Sequence, residues 1–600
     1  MNTNTDQWKK YHESSNRIED LSDKSQIVRD YYSWLFSDAG IELKKDLDVS
    51  LGISHRDPFI YHLSCIDDLF HTHCLQKLGR ITQLSSIFQQ NPGAWHSRLE
   101  HSIAAFNKKQ EEHIYLWMNN PDFVKYVEDN DLKSFLIAEE IKILYHDVGH
   151  FPFSHITEKE IIMLSDIYAV IKEILGPKAV HEFVGETILL QDHEVSSILR
   201  KLGLYDAVCT VLKEDILNSH EHDDGNIDTD RKAFVETDIA HLGGIENPIR
   251  YPIYSRKIAK INPDGSYTKS ANGSIILTDS LGDNSKYIDV FASSDILSVE
   301  NVLSTRESLY TNHYYHPTTL AHDTIIGLVQ SEIALTEPQH CPNLANYIRL
   351  LQAGKFLEAK QYDEVDIFKD LINFGLHSKD PNIIDMVSLL FVPFENWLNL
   401  MAAQLDRKKD ADFIQFISKE LIHGTSRFAQ NLRTKDFFDK NVIIVQGDSA
   451  TDLKEQNLEG LLCNTHFLRA YKPSQPIYVE DYEGNVFPLE NHPNRTRDWA
   501  NSTSQINVAI CILPLLKFRG IPSETIKLYE QLCRPLSGFE TKNSPSLLEE
   551  SYKQFPTLIS RLKEGFPAGS EFILSQLSQS PSLVRQYMST SQTFEEAIEL

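Results

Sequence analysis

The fifteen-residue run LKSFLIAEEIKILYH (132–146) sets Leu132, Phe135, Leu136, Ile141 and Leu144 at spacings that approximate one helical stripe. It leads directly into DVGHFPFSH, where Gly149 and Pro152 break the helix. A largely buried helix must therefore end on His146 and Asp147, with His150 and His155 following within ten residues. Upstream, NPGAWHSRLEHSIAAF turns at Pro92–Gly93 and opens a second helical pattern carrying Arg98 and His101. Residues 186–215 and 321–335 read as further helices, and the polar stretch SHEHDDGNIDTDR (219–231) reads as a surface loop. Two β-like patches interrupt the helices. One is NPDGSYTKSANGSIILTD (262–279) and the other PIYVEDYEGNVFPL (476–489), which turns at Glu483–Gly484. The expected class is mostly α with small β elements.

At 600 residues the chain has ample length for a large core. Its seven cysteines include no CxxC pair, which argues for a reducing compartment and against a disulfide frame or zinc knuckle. The polar N-terminus lacks the apolar segment of a signal peptide, and no apolar run is long enough to span a bilayer. These features predict a soluble, cytoplasmic protein without a membrane partner. The net charge of −27 disfavours extended nucleic acid, so an anionic ligand needs a locally basic pocket or a metal.

An adjacent His-Asp doublet offers an imidazole nitrogen and a carboxylate oxygen to a divalent ion. Such a doublet is more often a helix-terminal His with a capping Asp. Here His101 lies 45 residues before His146, and Asp238 in VETDIAHL lies 91 residues after Asp147. Together they would form a four-ligand site with positions open to water and substrate. The acidic cluster His220–Asp224 reads as solvated loop rather than a second site.

The pattern His101, His146–Asp147, Asp238 resembles that of the HD-domain superfamily. HDVGHFPFSH, LGRITQLSSIFQQNPGAWHSRLEHS (78–102), HEFVG (181–185), STRESLYTNHYYH (304–316) and DPFIYHLSCIDDLFHTHCLQKLGR (57–80) resemble, within it, the deoxynucleoside triphosphate triphosphohydrolases. The resemblance implies an HD-domain helical core at about residues 50–400, after an N-terminal helical or polar segment (1–49) and before a helical-rich C-terminal extension (401–600) of unknown role. It implies that His101, His146, Asp147 and Asp238 hold a divalent ion (Mn, Fe, Mg or Zn). It implies His155 as general acid at the 5′ oxygen, Glu158 steering its ring, and His150 and His181 lining the phosphate pocket. Arg98 and Arg306 would contact phosphates, Gln83 and Glu246 the sugar 3′-hydroxyl, and Leu84 the position of a 2′-hydroxyl, while Tyr314 would stack on sugar or base.

One departure stands out. After its last aspartate the family places a basic residue and a tyrosine that touch the triphosphate, and counting from Asp238 puts Ile239 and Leu242 there.

The expected activity is hydrolysis of deoxynucleoside triphosphates to deoxynucleoside and triphosphate by a homo-oligomer, in nucleotide-pool control or defence against phage. An HD phosphodiesterase or nucleotidase acting on another nucleotide is the alternative, and a nucleotide-sensing HD scaffold is a third.

Overall fold

Apolar stripes on successive helices give the chain its main core, and a computed structural model shows how they meet. It describes residues 66–532 apart from 159–179, 214–226, 243–253, 392–404 and a few shorter gaps. The expected N-terminal segment 1–49 lies outside the described residues, as do Glu246 and the His220–Asp224 cluster.

Helix α1 (Arg98–Asn119) begins at Ser97, whose hydroxyl accepts the Glu100 amide. Helix α2 (Lys133–Tyr145) is the apolar-striped run 132–146, and His146 is its C-cap. Leu136, Ile137, Ala138, Ile141 and Leu144 are all fully buried. Helix α3 (Val180–Gln191) follows. The run 186–215 is not one helix. Asp192 caps a new one at His193–Lys201, and Gly203, at φ 69°, ends that and precedes Tyr205–Val211. Helix α4 (Thr229–His241) begins inside the stretch expected to be loop, because Asp228 caps it by accepting the Arg231 amide at 2.7 Å. Helix α1 packs against both α2 and α4, and the three carry the ligands discussed below.

Helix α5 (Ile296–Leu309) leads through a π-helical turn (Tyr310–Tyr314) into helix α6 (Pro317–Thr336). Helix α7 (Glu364–His377) begins at Asp363, whose carboxylate accepts the Val365 and Asp366 amides.

Both β patches form strands of one five-stranded sheet, order β2-β1-β3-β6-β7. Its strands are β1 (Tyr254–Lys260), β2 (Leu277–Thr278), β3 (Ser285–Phe291), β6 (Tyr478–Glu480) and β7 (Val486–Pro488). Strand β6 runs parallel to β3, pairing Tyr478 with Val290. A second, antiparallel sheet joins β4 (Val442–Gln446), β8 (Ser504–Ile512) and β5 (Leu461–Leu468) in the order β4-β8-β5. Residues beyond 400 thus complete the first sheet, and Val479, Trp499, Ile506, Val508 and Ile510 belong to the same apolar core as α1 and α2. The fold is mostly α with small β elements.

Candidate metal centre and cleft

Helix ends aim the histidines. At the end of α2 the His146 Nδ1 lies 2.6 Å from the Ile143 carbonyl. A carbonyl only accepts, so Nδ1 carries a proton and Nε2 is the nitrogen left to face an ion. That Nε2 lies 3.2 Å from the Nε2 of His101 on α1. Asp230, in the first turn of α4, brings Oδ1 to 2.9 Å from His101 Nε2 and 3.2 Å from His146 Nε2. Asp147 adds Oδ1 at 3.3 Å from His146 and Oδ2 at 3.7 Å from His101. Ligand atoms about 2.1 Å from an ion and at right angles to one another lie about 3 Å apart. Two imidazoles and two carboxylates spaced this way suit a divalent cation. His101, His146 and Asp230 are a group able to hold one.

Asp238 is not in this cluster, which corrects the expected ligand set. It lies eight residues beyond Asp230 on α4, about 12 Å along the axis. Its carboxylate accepts instead from the Tyr314 hydroxyl and from His96 Nε2, the latter at 2.7 Å. The His96 ring stacks on His241 at 4.3 Å. The same shift narrows the apparent departure at Ile239 and Leu242 to one position, where a phenylalanine stands in place of a tyrosine. Counted from Asp230, the next residue is Arg231 and the fourth is Phe234, and both line the cleft. The signal for Asp230 lay in the stretch read as loop: Asp228 is an N-cap residue followed by an acidic first turn and an apolar run.

Beside the first cluster lies a second, of imidazoles. His150 stacks on His181 with ring centroids 3.9 Å apart, and His155 meets them edge-on at 4.8 and 5.1 Å. Glu158 holds the group: Oε2 accepts from His181 Nδ1 at 2.8 Å and lies 3.6 Å from His155 Nδ1, while Oε1 accepts the Val180 amide at 3.0 Å. Glycine makes this arrangement possible. A Cβ on Gly149 would stand 2.0 Å from the His181 carbonyl oxygen and 2.3 Å from the Gly185 nitrogen, so α3 lies backbone to backbone on the loop.

The electrostatics follow from burial and neighbours. Burial opposes the charged form of His146, but Asp147 and Asp230 outweigh it and push its pKa up to about 9. Burial also opposes the Asp147 carboxylate, yet Arg98, His146 and His150 hold its pKa well below the ordinary range. His150 is held well below 6.5 by burial, then by Arg98 and His181. His155 is lowered to about 4, chiefly by desolvation between the cleft walls and further by His181 and Arg98, against the pull of Glu158. His155 is therefore neutral at pH 7.

The remaining predicted residues gather around a cleft of about 1380 Å³ that both clusters face. Gln83, Leu84, Arg98, Arg306 and Tyr314 all line it. Leu84 packs with Ile87 and Ala94 against Tyr314 and Leu242. Arg98 is engaged within the protein, donating to Asp147 Oδ2 at 2.6 Å and to Ser154 Oγ at 2.8 Å. Arg306 is 7% exposed, and its Nε and Nη1 find no hydrogen-bond partner among the described residues. Asn464 and His466 of β5 also reach the cleft, His466 stacking on Tyr315 at 4.4 Å. The extension beyond residue 400, of unknown role from its sequence, thus contributes to the cleft.

Fold and site define a largely helical protein with a histidine–carboxylate centre and an imidazole cluster in one cleft. No family model matches the chain. It is 33% identical over 115 residues to a putative HD domain-containing protein of Acanthamoeba polyphaga mimivirus, covering 18% of this chain and 25% of that protein. It is 25% identical over 264 residues to the uncharacterized protein YwfO of Bacillus subtilis, covering 43% of this chain and 50% of that protein. An uncharacterized protein of Methanocaldococcus jannaschii is 21% identical over 430 residues, 68% of this chain and 76% of that one. The match thus spans half the length of the Bacillus protein and a quarter of the mimiviral one. Among solved structures, a phosphohydrolase from Bacteroides thetaiotaomicron aligns with a TM-score of 0.49 at 18% identity, over 76% of this chain and 98% of that one. Among the described residues no helix is long and apolar enough to cross a membrane.

Proposed function

We propose that the chain is a metal-dependent phosphohydrolase that cleaves deoxynucleoside triphosphates to deoxynucleoside and triphosphate. One observation carries this reading. A single cleft unites a four-donor cluster, an imidazole group and a buried guanidinium with two nitrogens unpartnered among the described residues. Leaving two nitrogens of a buried guanidinium unpartnered is costly, and a phosphate matches their geometry. The name of the mimiviral relative, an HD domain-containing protein, agrees with such a site.

His101, His146, Asp147 and Asp230 would hold the ion, which when bound supplies Lewis-acid polarisation of a phosphate oxygen. Arg306 pairs with the phosphates and Arg231 adds positive charge on the same wall. A polyphosphate brings several negative charges into the cleft, which raises the pKa of His155 toward the protonated form. As a water attacks the α-phosphorus and the bond to the 5′ oxygen breaks, His155 donates its proton to that departing oxygen and the water's proton is released to solvent, while Glu158 fixes the rings of His155 and His181. Leu84 and Tyr314 close the sugar side, where a 2′-hydroxyl would lose hydration against an apolar wall.

Chromatographic product analysis on paired ribo- and deoxyribonucleotides, with several divalent ions, tests the reading. Tripolyphosphate from dNTPs, with ribonucleotides largely spared, is the expected result. Orthophosphate or pyrophosphate as the primary product, or equal turnover of ATP and dATP, overturns it in favour of a nucleotidase or phosphodiesterase.

A further inference from the structure

We infer that Glu364, remote in sequence from both clusters, is a positioning residue that ties together two adjoining loops that line the cleft. The inference rests on the proposed activity only where it speaks of turnover. Glu364 is the first residue of α7 and is 1% exposed. Its Oε1 accepts three hydrogen bonds, from the Thr82 amide at 2.9 Å, the Thr82 hydroxyl at 2.8 Å and the Phe153 amide at 2.9 Å. Its Oε2 has no partner among the described residues.

The two anchored residues sit where the chain most needs holding. Thr82 precedes Gln83 and Leu84, and Ser85 then adopts φ 50°. Phe153 and Ser154, at φ 61° and 55°, immediately precede His155. Three non-glycine residues in the left-handed region persist only where surroundings over-determine them. The knot extends further. Ser154 Oγ donates to the Thr82 carbonyl at 2.7 Å and accepts from Arg98 Nε, and Arg98 also holds Asp147. The Phe153 ring meets Phe368 of α7 edge-on at 4.8 Å, a second point at which this helix grips the loop.

A fully buried carboxyl is a costly means of joining two loops. Burial, with Asp363 alongside, raises its pKa to about 7 against the three hydrogen bonds. A neutral acid retains the carbonyl-type acceptor that the three donors need, so a glutamine can stand in its place.

Hydrogen exchange followed by mass spectrometry, with steady-state kinetics on dATP and ATP, separates positioning from general stabilisation. In Glu364→Ala, peptides covering 81–85 and 150–155 should exchange faster while α1 and α2 keep wild-type protection. The kcat should fall roughly 10- to 100-fold, as for a small misplacement of reacting groups, and the preference for dATP should narrow. Glu364→Gln should restore all three readouts. Wild-type exchange at both loops with unchanged kcat in Glu364→Ala overturns the inference, and so does Glu364→Gln behaving like Glu364→Ala. If Glu364→Ala does not fold, Thr82→Val removes one of the three donors and carries the same comparison at smaller amplitude, with wild-type behaviour again overturning it. If the wild type hydrolyses no dNTP, the proposed function fails while the exchange comparison still decides the role of Glu364.

Discussion

At the scale of single residues, two aspartates on one helix make the sharpest comparison. Asp230 lies within 3.2 Å of both imidazole nitrogens, whereas Asp238 is held by His96 and Tyr314. Asp230→Ala is expected to lose the bound divalent ion and the hydrolysis, as is Asp147→Ala, while Asp238→Ala keeps the ion. Elemental analysis of the purified proteins checks this, and full occupancy in Asp230→Ala would refute the ligand set. Much of the site was legible because His101, His146, Asp147, His150 and His155 sit in short motifs whose spacing survives folding. Asp230 was not, because a carboxylate in the first turn of a helix looks like a polar loop until the Asp228 cap is recognised. Glu364 was invisible for another reason: it reaches 282 residues back to Thr82, a distance no local pattern carries. Its titration gives a second measurement. A carboxyl lifted from 4.5 to about 7 binds more protons folded than unfolded between those values, so its contribution falls as pH rises through that window. The loss amounts to about 3 kcal/mol for a buried group. Glu364→Gln should remove that slope between about pH 4.5 and 7, read from denaturant unfolding at several pH values.

At the scale of elements, the loop that carries His150 and His155 depends on how closely α3 approaches it. Gly149 and Gly185 face each other across that contact. A Cβ at 149 meets backbone at 2.0 and 2.3 Å, whereas one at 185 comes no nearer than 3.2 Å to the His146 carbonyl oxygen. Gly149→Ala must therefore push α3 away and carry His181 off His150, at a cost of at least about 1–3 kcal/mol. Gly185→Ala should be much milder. Thermal unfolding and kcat measured on both variants test the ordering, and equal behaviour of the two would contradict the close approach. The helices themselves were readable from apolar periodicity, and the two β patches from their turn residues. The division of 186–215 was missed because Asp192 as cap and Gly203 as stop interrupt an apolar pattern that otherwise continues across them.

At the scale of the whole molecule, residues beyond 400 support the cleft as well as the sheets. Trp499 is 1% exposed, and its indole N–H donates to Glu300 Oε1 at 2.8 Å. Thr496 binds the same carboxylate through its amide and its hydroxyl, both at 2.8 Å. Arg497 pairs with Glu307 through two nitrogens, at 2.5 and 3.0 Å. Glu300 and Glu307 lie on α5 on either side of Arg306, the guanidinium that faces the cleft. One short segment of the C-terminal region thus fixes the helix that presents Arg306 to the cleft. Trp499→Ala removes a large buried ring and leaves Glu300 short of a donor, which costs about 3–5 kcal/mol. With Arg306 pairing with substrate phosphates as proposed above, loosening α5 would displace it, so KM should rise more than kcat falls while metal content stays at the wild-type level. Arg497→Ala, at an exposed pair, should cost little stability because such pairs contribute less than about 1 kcal/mol. A Trp499→Ala protein that is destabilised but keeps wild-type KM would show that the segment stabilises the molecule without positioning Arg306.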